Sequence, residues 1–230
     1  MSIRTVLIAG AGGVLGAAVA RDFAAAGYAV VGVTRKSSSS RSHDRAFTRM
    51  HYCDLCDLSA MREVVNAVMA EQGSMNVLVY NAVQLVMAPF MELTHADFEN
   101  TWRASVGGAI ACAQAVLPNM LNCRQGAMIF SGATGSLRGT SRFAAFSSAK
   151  FALRGLTQSL AREYQSQGIH VAHVIIDGLL RGSTSVAKFG GCEENTVDPA
   201  VVASTYRWLA EQPSSAWTLE LDIRPNTERF

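Results

Sequence analysis

The stretch that most constrains this chain is its opening. Thr5–Ala9 (Thr-Val-Leu-Ile-Ala) is a short apolar run closed by Gly10, Gly12, Gly13 and Gly16. A continuous apolar run of this length, ended by glycine, predicts a strand buried on both faces. Val14–Ala26 follows as an alanine-rich helix with Leu15, Val19 and Phe23 on one stripe and Gly27 at its end. A buried strand, a glycine-rich turn and a helix form the start of a β-α-β unit, so the rest is read for its continuation.

The continuation is regular. Strands are expected at Ala29–Thr34, Phe47–Cys53, Asn76–Tyr80, Ala127–Ser131, Ile169–Ile176 and Thr218–Ile223. Helices are expected at Leu58–Gln72, at Thr94–Leu117 (ending before Pro118), at Phe143–Gln167 and at Pro199–Glu211. Strands alternating with helices of this length predict one α/β domain over residues 1–230. It has about seven parallel strands, doubly wound, with helices on both faces. Ligands of such sheets bind beyond the carboxyl ends of the strands.

Composition excludes several classes. Twenty Lys plus Arg against 18 Asp plus Glu leave a net charge of +2, too little for a generally basic nucleic-acid binder. No run of 18 apolar residues predicts a membrane span, and the N-terminus lacks the long apolar stretch of a secretory signal. The expectation is a cytoplasmic protein. Its five scattered cysteines fit that compartment better than a disulfide framework. Cys53 and Cys56 form a Cys-x-x-Cys with no second pair to complete a zinc site, so no metal is expected. His170 and His173, three apart on a strand, face opposite sides and are read as packing residues.

Gly10-Ala11-Gly12-Gly13-Val14-Leu15-Gly16, set between a strand and a helix, suits a pyrophosphate. Side chains would block its close approach, and the helix N-terminus offers free amides and a positive dipole end. The second strand runs into Arg35 and Lys36, where a site preferring NAD usually carries Asp or Glu. Five basic residues and one acidic residue lie between 35 and 49, together with Ser37–Ser40. A positive, hydroxyl-rich loop here suits a ribose 2′-phosphate, so NADP(H) is expected over NAD(H).

With these motifs the chain resembles the short-chain dehydrogenase/reductase family over almost its full length. Gly10, Gly13 and Gly16 have the Gly-x-x-Gly-x-x-Gly spacing of its extended branch. Cys53-Asp54-Leu55 resembles the acidic–hydrophobic pair that contacts adenine. Tyr80-Asn81-Ala82-Val83 is similar to Asn-Asn-Ala-Gly, and Asp177-Gly178 stands where the family has Pro-Gly. The resemblance implies a Rossmann-type fold and a cofactor site of Gly10, Gly12, Gly13, Leu15, Gly16, Arg35, Lys36, Asp54, Leu55, Asn81, Ala82, Lys150 and Gly178. It also implies a small-molecule substrate, a substrate-covering lid at Leu179–Val197, and pairing of the small-residue faces near 98–117 and 143–167 in a homodimer or homotetramer.

The departures carry as much. Phe146-Ser-Ser-Ala-Lys150 occupies the place of Tyr-x-x-x-Lys, so the lysine is present and the proton-donating tyrosine is not. The family's asparagine falls on Ser105, and its serine falls on Gly132 or Ala133. Residues 146 and 150 share a helix face, so Lys150 still reaches the ribose. Replacement donors near strand ends are Tyr80, Ser131, Thr134 and Asp177, with Lys150, Ser131 and Tyr80 as the catalytic candidates. The expected function is an NADP(H)-dependent oxidoreductase with a non-standard donor, reducing an activated C=C, C=N or C=O of an apolar small molecule. Val86, Met87, Phe90, Met91, Phe143 and Phe146 supply the apolar pocket. The alternatives are a redox-neutral cyclase, isomerase or dehydratase on this scaffold, and a non-catalytic NADP(H)-binding regulatory protein.

Overall fold

The computed structural model describes residues 3–35, 44–189 and 191–227. The chain runs β1 (Thr5–Ala9), α1 (Gly13–Ala25), β2 (Ala29–Thr34), β3 (Arg49–Tyr52), α2 (Leu58–Gln72) and β4 (Val77–Tyr80). A helical stretch follows, made of α3 (His95–Trp102), a π turn (Arg103–Gly107) and α4 (Gly108–Cys123). Then come β5 (Gly126–Ser131), α5 (Ala144–Tyr164), β6 (Ile169–Ile176), β7 (Leu179–Leu180), α6 (Thr184–Lys188), β8 (Thr196–Val197), α7 (Pro199–Ala210) and β9 (Glu220–Ile223).

Seven strands form one parallel sheet in the order β3-β2-β1-β4-β5-β6-β9. The chain winds outward from β1 in one direction and from β4 in the other, so the strand order reverses between these two. That reversal opens a crevice at their carboxyl ends. The apolar runs are continuous because both faces are covered. In β1, Val6 and Ile8 pack with Leu15, Val19 and Phe23 of α1, while Leu7 packs toward Met61 of α2 and Leu153 of α5. Helices α1 and α7 cover one face, and α2, α4 and α5 the other.

Helix α5 matters most for the site, and it is fastened to the last strand. The guanidinium of Arg154 donates to both carboxylate oxygens of Glu220, each at 2.7 Å, and Gln158 donates to the same carboxylate. These charge-assisted bonds hold the Glu220 carboxyl well below its usual range, at about 2.

Two expectations need correction, the end and the continuity of one helix. The helix foreseen to stop before Pro118 continues to Cys123. Pro118 removes the hydrogen bond to the Gln114 carbonyl, but both residues are on the exposed side of the helix, while Val116, Leu117 and Met120 keep the buried stripe intact. The same helix is broken upstream by the π turn, which the sequence pattern did not reveal. The segment expected as a glycine-rich lid holds the β7–β8 pair and α6. The combined run His95–Cys123 is long and apolar enough to cross a membrane by length and composition alone, but most of its apolar window lies inside the molecule against the sheet.

Candidate functional site

A cleft of about 560 Å³ lies at the crevice between β1 and β4. Its floor is the turn after β1: Gly10, Gly12, Gly13 and Leu15 line it. Gly10 has φ +85°, and a Cβ there would stand 2.5 Å from the backbone nitrogen of Ala82, so only glycine lets the turn after β1 meet the turn after β4. Asn81 donates from its side-chain amide to the Gly10 carbonyl at 3.2 Å and locks the two turns together. Gly16 does not line the cleft; it sits buried in α1 and lets the helix close on the Ala11 carbonyl.

The start of α1 is bare. Its N-cap is Gly12, no side chain caps it, and its first turn carries no acid. By contrast Asp57 caps α2, Thr94 and Asp97 form a capping box on α3, and Asp198 caps α7. A helix whose first amides face a cleft without a cap offers them to an anionic ligand.

At the far wall, Thr34 ends β2 and the exposed Arg35 follows it, and Asp54, Leu55 and Cys56 follow β3. Asp54 accepts from the Cys56 amide at 3.0 Å and from Arg103 at 2.7 Å, and these bonds, the amide foremost, hold its carboxyl below the usual range. Arg103 was not singled out in the sequence; the π turn brings it here. Lys36 and Ser37–Ser40 lie outside the described residues.

Beyond the cleft is a second corner, built on α5. Lys150 is almost wholly buried, and its ammonium donates to the Ser131 carbonyl at 2.8 Å. Burial lowers its pKa to about 8. Its Nζ lies 5.8 Å from the centre of the Phe146 ring, the residue one helical turn back. Phe143 meets Phe146 edge-on at 6.3 Å, and Phe189, just after α6, meets Phe143 at 5.8 Å, making an aromatic row from α5 to the lid segment.

The hydroxyls foreseen as donors are engaged elsewhere. Tyr80 is 1% exposed and donates to the Ala104 carbonyl at 2.5 Å, and burial pushes its pKa well up. Its proton serves the π turn and not the corner. Ser131 points to the opposite face of the sheet, where its hydroxyl pairs with that of Tyr206 at 2.6 Å; only its carbonyl meets Lys150. Thr134 donates to Asp177 at 2.5 Å. Asp177 is fully buried, with Arg138 at 3.5 Å and Arg224 at 3.8 Å. The Ser105 hydroxyl is buried with no partner among the described residues. Gly178 lies outside the cleft, packed on Pro225 and Val197.

The two histidines divide as expected. His170 bonds the carbonyls of Leu209 and Thr218 on one face. His173 faces the other, 3.0 Å from the Ser136 hydroxyl, with its pKa held down at about 4 by burial and by the charge of Lys150.

A family model described as short chain dehydrogenase matches residues 4–185. The 3-oxoacyl-[acyl-carrier-protein] reductase MabA of Mycobacterium tuberculosis is 28% identical over 221 residues, 92% of this chain and 87% of that one. A solved short-chain dehydrogenase from Rhodopseudomonas palustris is 34% identical, covering 96% of this chain and 98% of its own, with a TM-score of 0.81. A metagenomic short-chain oxidoreductase in complex with NADP has the same fold, with a TM-score of 0.82 at 23% identity over 98% of both chains.

Proposed function

Because the chain belongs to the short-chain dehydrogenase/reductase family, we propose that it is an NADP(H)-dependent oxidoreductase working without the usual tyrosine. Its acceptor is an activated C=C, C=N or C=O of an apolar small molecule. The observation that carries this reading is the pairing of Phe146 with a buried Lys150 on one face of α5.

The residues of the cleft fit a phosphorylated dinucleotide. The bare N-terminus of α1 and the close approach at Gly10 suit the pyrophosphate, Arg35 the 2′-phosphate, and Asp54 and Leu55 the adenine. Solved relatives that hold NADP support the same choice. Lys150, anchored by the Ser131 carbonyl, has further N–H donors for the ribose hydroxyls. The nicotinamide supplies hydride when bound.

The protein's own contribution at the reacting atom is then steric and electrostatic. Phe146 excludes water and has no proton to give. General acid catalysis is worth roughly 10²–10⁴-fold, a heavy loss for an unactivated ketone. The loss is smaller for an enone or an iminium ion, where hydride goes to carbon and solvent completes the step. The row Phe143, Phe146 and Phe189 gives such an acceptor an apolar wall, and the segment 179–197, which sends Leu180 and Ser183 to the cleft, serves as its lid. Exposed Trp102 and Phe151 supply the apolar face of a homodimer.

NADPH absorbance followed with a panel of enones, iminium ions and simple ketones tests the assignment. Turnover of the first two above the third supports it. NADPH binding by calorimetry with no turnover on any of them would replace it with the redox-neutral or regulatory reading, which the engagement of Tyr80, Ser131 and Thr134 favours.

A further inference from the structure

The π turn at Arg103–Gly107 takes one residue more than an α turn and loosens the carbonyls beside it. Two of those carbonyls are served by side chains from other elements. Tyr80, at the end of β4, donates to Ala104 at 2.5 Å. Cys56, in the turn after β3, donates its thiol hydrogen to Arg103 at 3.1 Å. Gly108 makes the space: a Cβ there would stand 2.4 Å from the Tyr80 hydroxyl oxygen and 3.3 Å from the Leu55 side chain. The turn itself forms a wall of the cleft, since Asn100, Arg103 and Ala104 line it, and Arg103 reaches Asp54 at 2.7 Å.

We propose that Tyr80 and Cys56 are positioning residues that hold the π turn against the adenine half of the cleft and so set the affinity of that half alone. The proposal rests on the nucleotide reading above. Its physical basis is a choice between two helix registers. Without the Tyr80 hydroxyl, the half-buried Ala104 carbonyl loses its side-chain donor. Closing the π turn into regular α-helix restores a partner, but it turns everything upstream by about 100° relative to α4. Asn100 and Arg103 then leave the cleft, and Asp54 loses its guanidinium. Lys150, held from α5 by the Ser131 carbonyl, is untouched by that rotation.

The two halves of the nucleotide provide the test. Adenosine 2′,5′-bisphosphate probes the adenine half and reduced nicotinamide mononucleotide the other, both by calorimetry. Tyr80→Phe removes one oxygen, and it is expected to weaken the bisphosphate about tenfold while leaving the mononucleotide unchanged. Cys56→Ala shifts the bisphosphate in the same direction by less, and Cys56→Ser, which keeps a donor, restores it. Should Tyr80→Phe prove unstable, the cysteine pair gives the answer alone. Wild-type affinity in both Tyr80→Phe and Cys56→Ala, or equal weakening of both halves, overturns the inference while the nucleotide reading stands. A wild-type protein that binds neither half nor NADPH overturns the reading, and this inference with it.

Discussion

The nucleotide cleft and the α5 corner stand at the same edge of the sheet, yet they are furnished in opposite ways. In the cleft, donors are left unspent: Arg35 is exposed, and glycines keep the backbone open. Toward the corner, the hydroxyls considered as donors are already committed elsewhere, Tyr80 to Ala104, Ser131 to Tyr206 and Thr134 to Asp177. Phe146, one helical turn before Lys150, adds no hydroxyl of its own. Polar groups turned outward prepare a region for a ligand; polar groups satisfied inward make it architecture. The difference separates holding a nucleotide from exchanging protons beside it.

The sharpest way to break this contrast is to put a donor back. Phe146→Tyr places a phenol on the face of Lys150 and is expected to raise ketone reduction by roughly 10²–10⁴-fold, measured as NADPH oxidation. No change would mean that the corner has diverged beyond its missing acid. On the other side of the comparison, Arg35→Ala removes a charge from the cleft. NADPH affinity should fall about tenfold or more and NADH affinity should hold; calorimetry with both nucleotides decides, and equal losses would remove the 2′-phosphate role.

The smallest effect sharpens the status of Lys150. Its folded-state pKa of about 8 lies below the ordinary lysine range, so the unfolded chain holds that proton more tightly. Stability is therefore penalised below about pH 8 and recovers as pH rises from there toward the ordinary value. Urea unfolding of wild type and Lys150→Met across that window should show the wild type gaining on order of a few kcal/mol relative to the variant. Parallel pH profiles would mean that the lysine is well solvated.

Much of this contrast could be read from residues alone, and the unread part has a physical cause. The strands Thr5–Ala9 and Ala29–Thr34 and the helix Leu58–Gln72 fall where apolar runs and glycine stops place them. The turn after β1 is legible because only glycine permits it. The sides of the donors were not. A strand covered on both faces is apolar at every position, so alternation gives no sign of which face Ser131 or Tyr80 takes. The π turn has no periodic signature either; the adjacent Gly107 and Gly108 are its only trace, and Arg103 enters the cleft through it. Asp177 could be named from its place after β6, but not the arginines that surround it.

The uncapped beginning of α1 also governs how the protein is handled. On the proposed nucleotide reading, such a helix start would also accept sulfate or inorganic phosphate. Purification or assay in such salts would raise the melting temperature of nucleotide-free material and compete with the cofactor. A chloride background is the better one for titration.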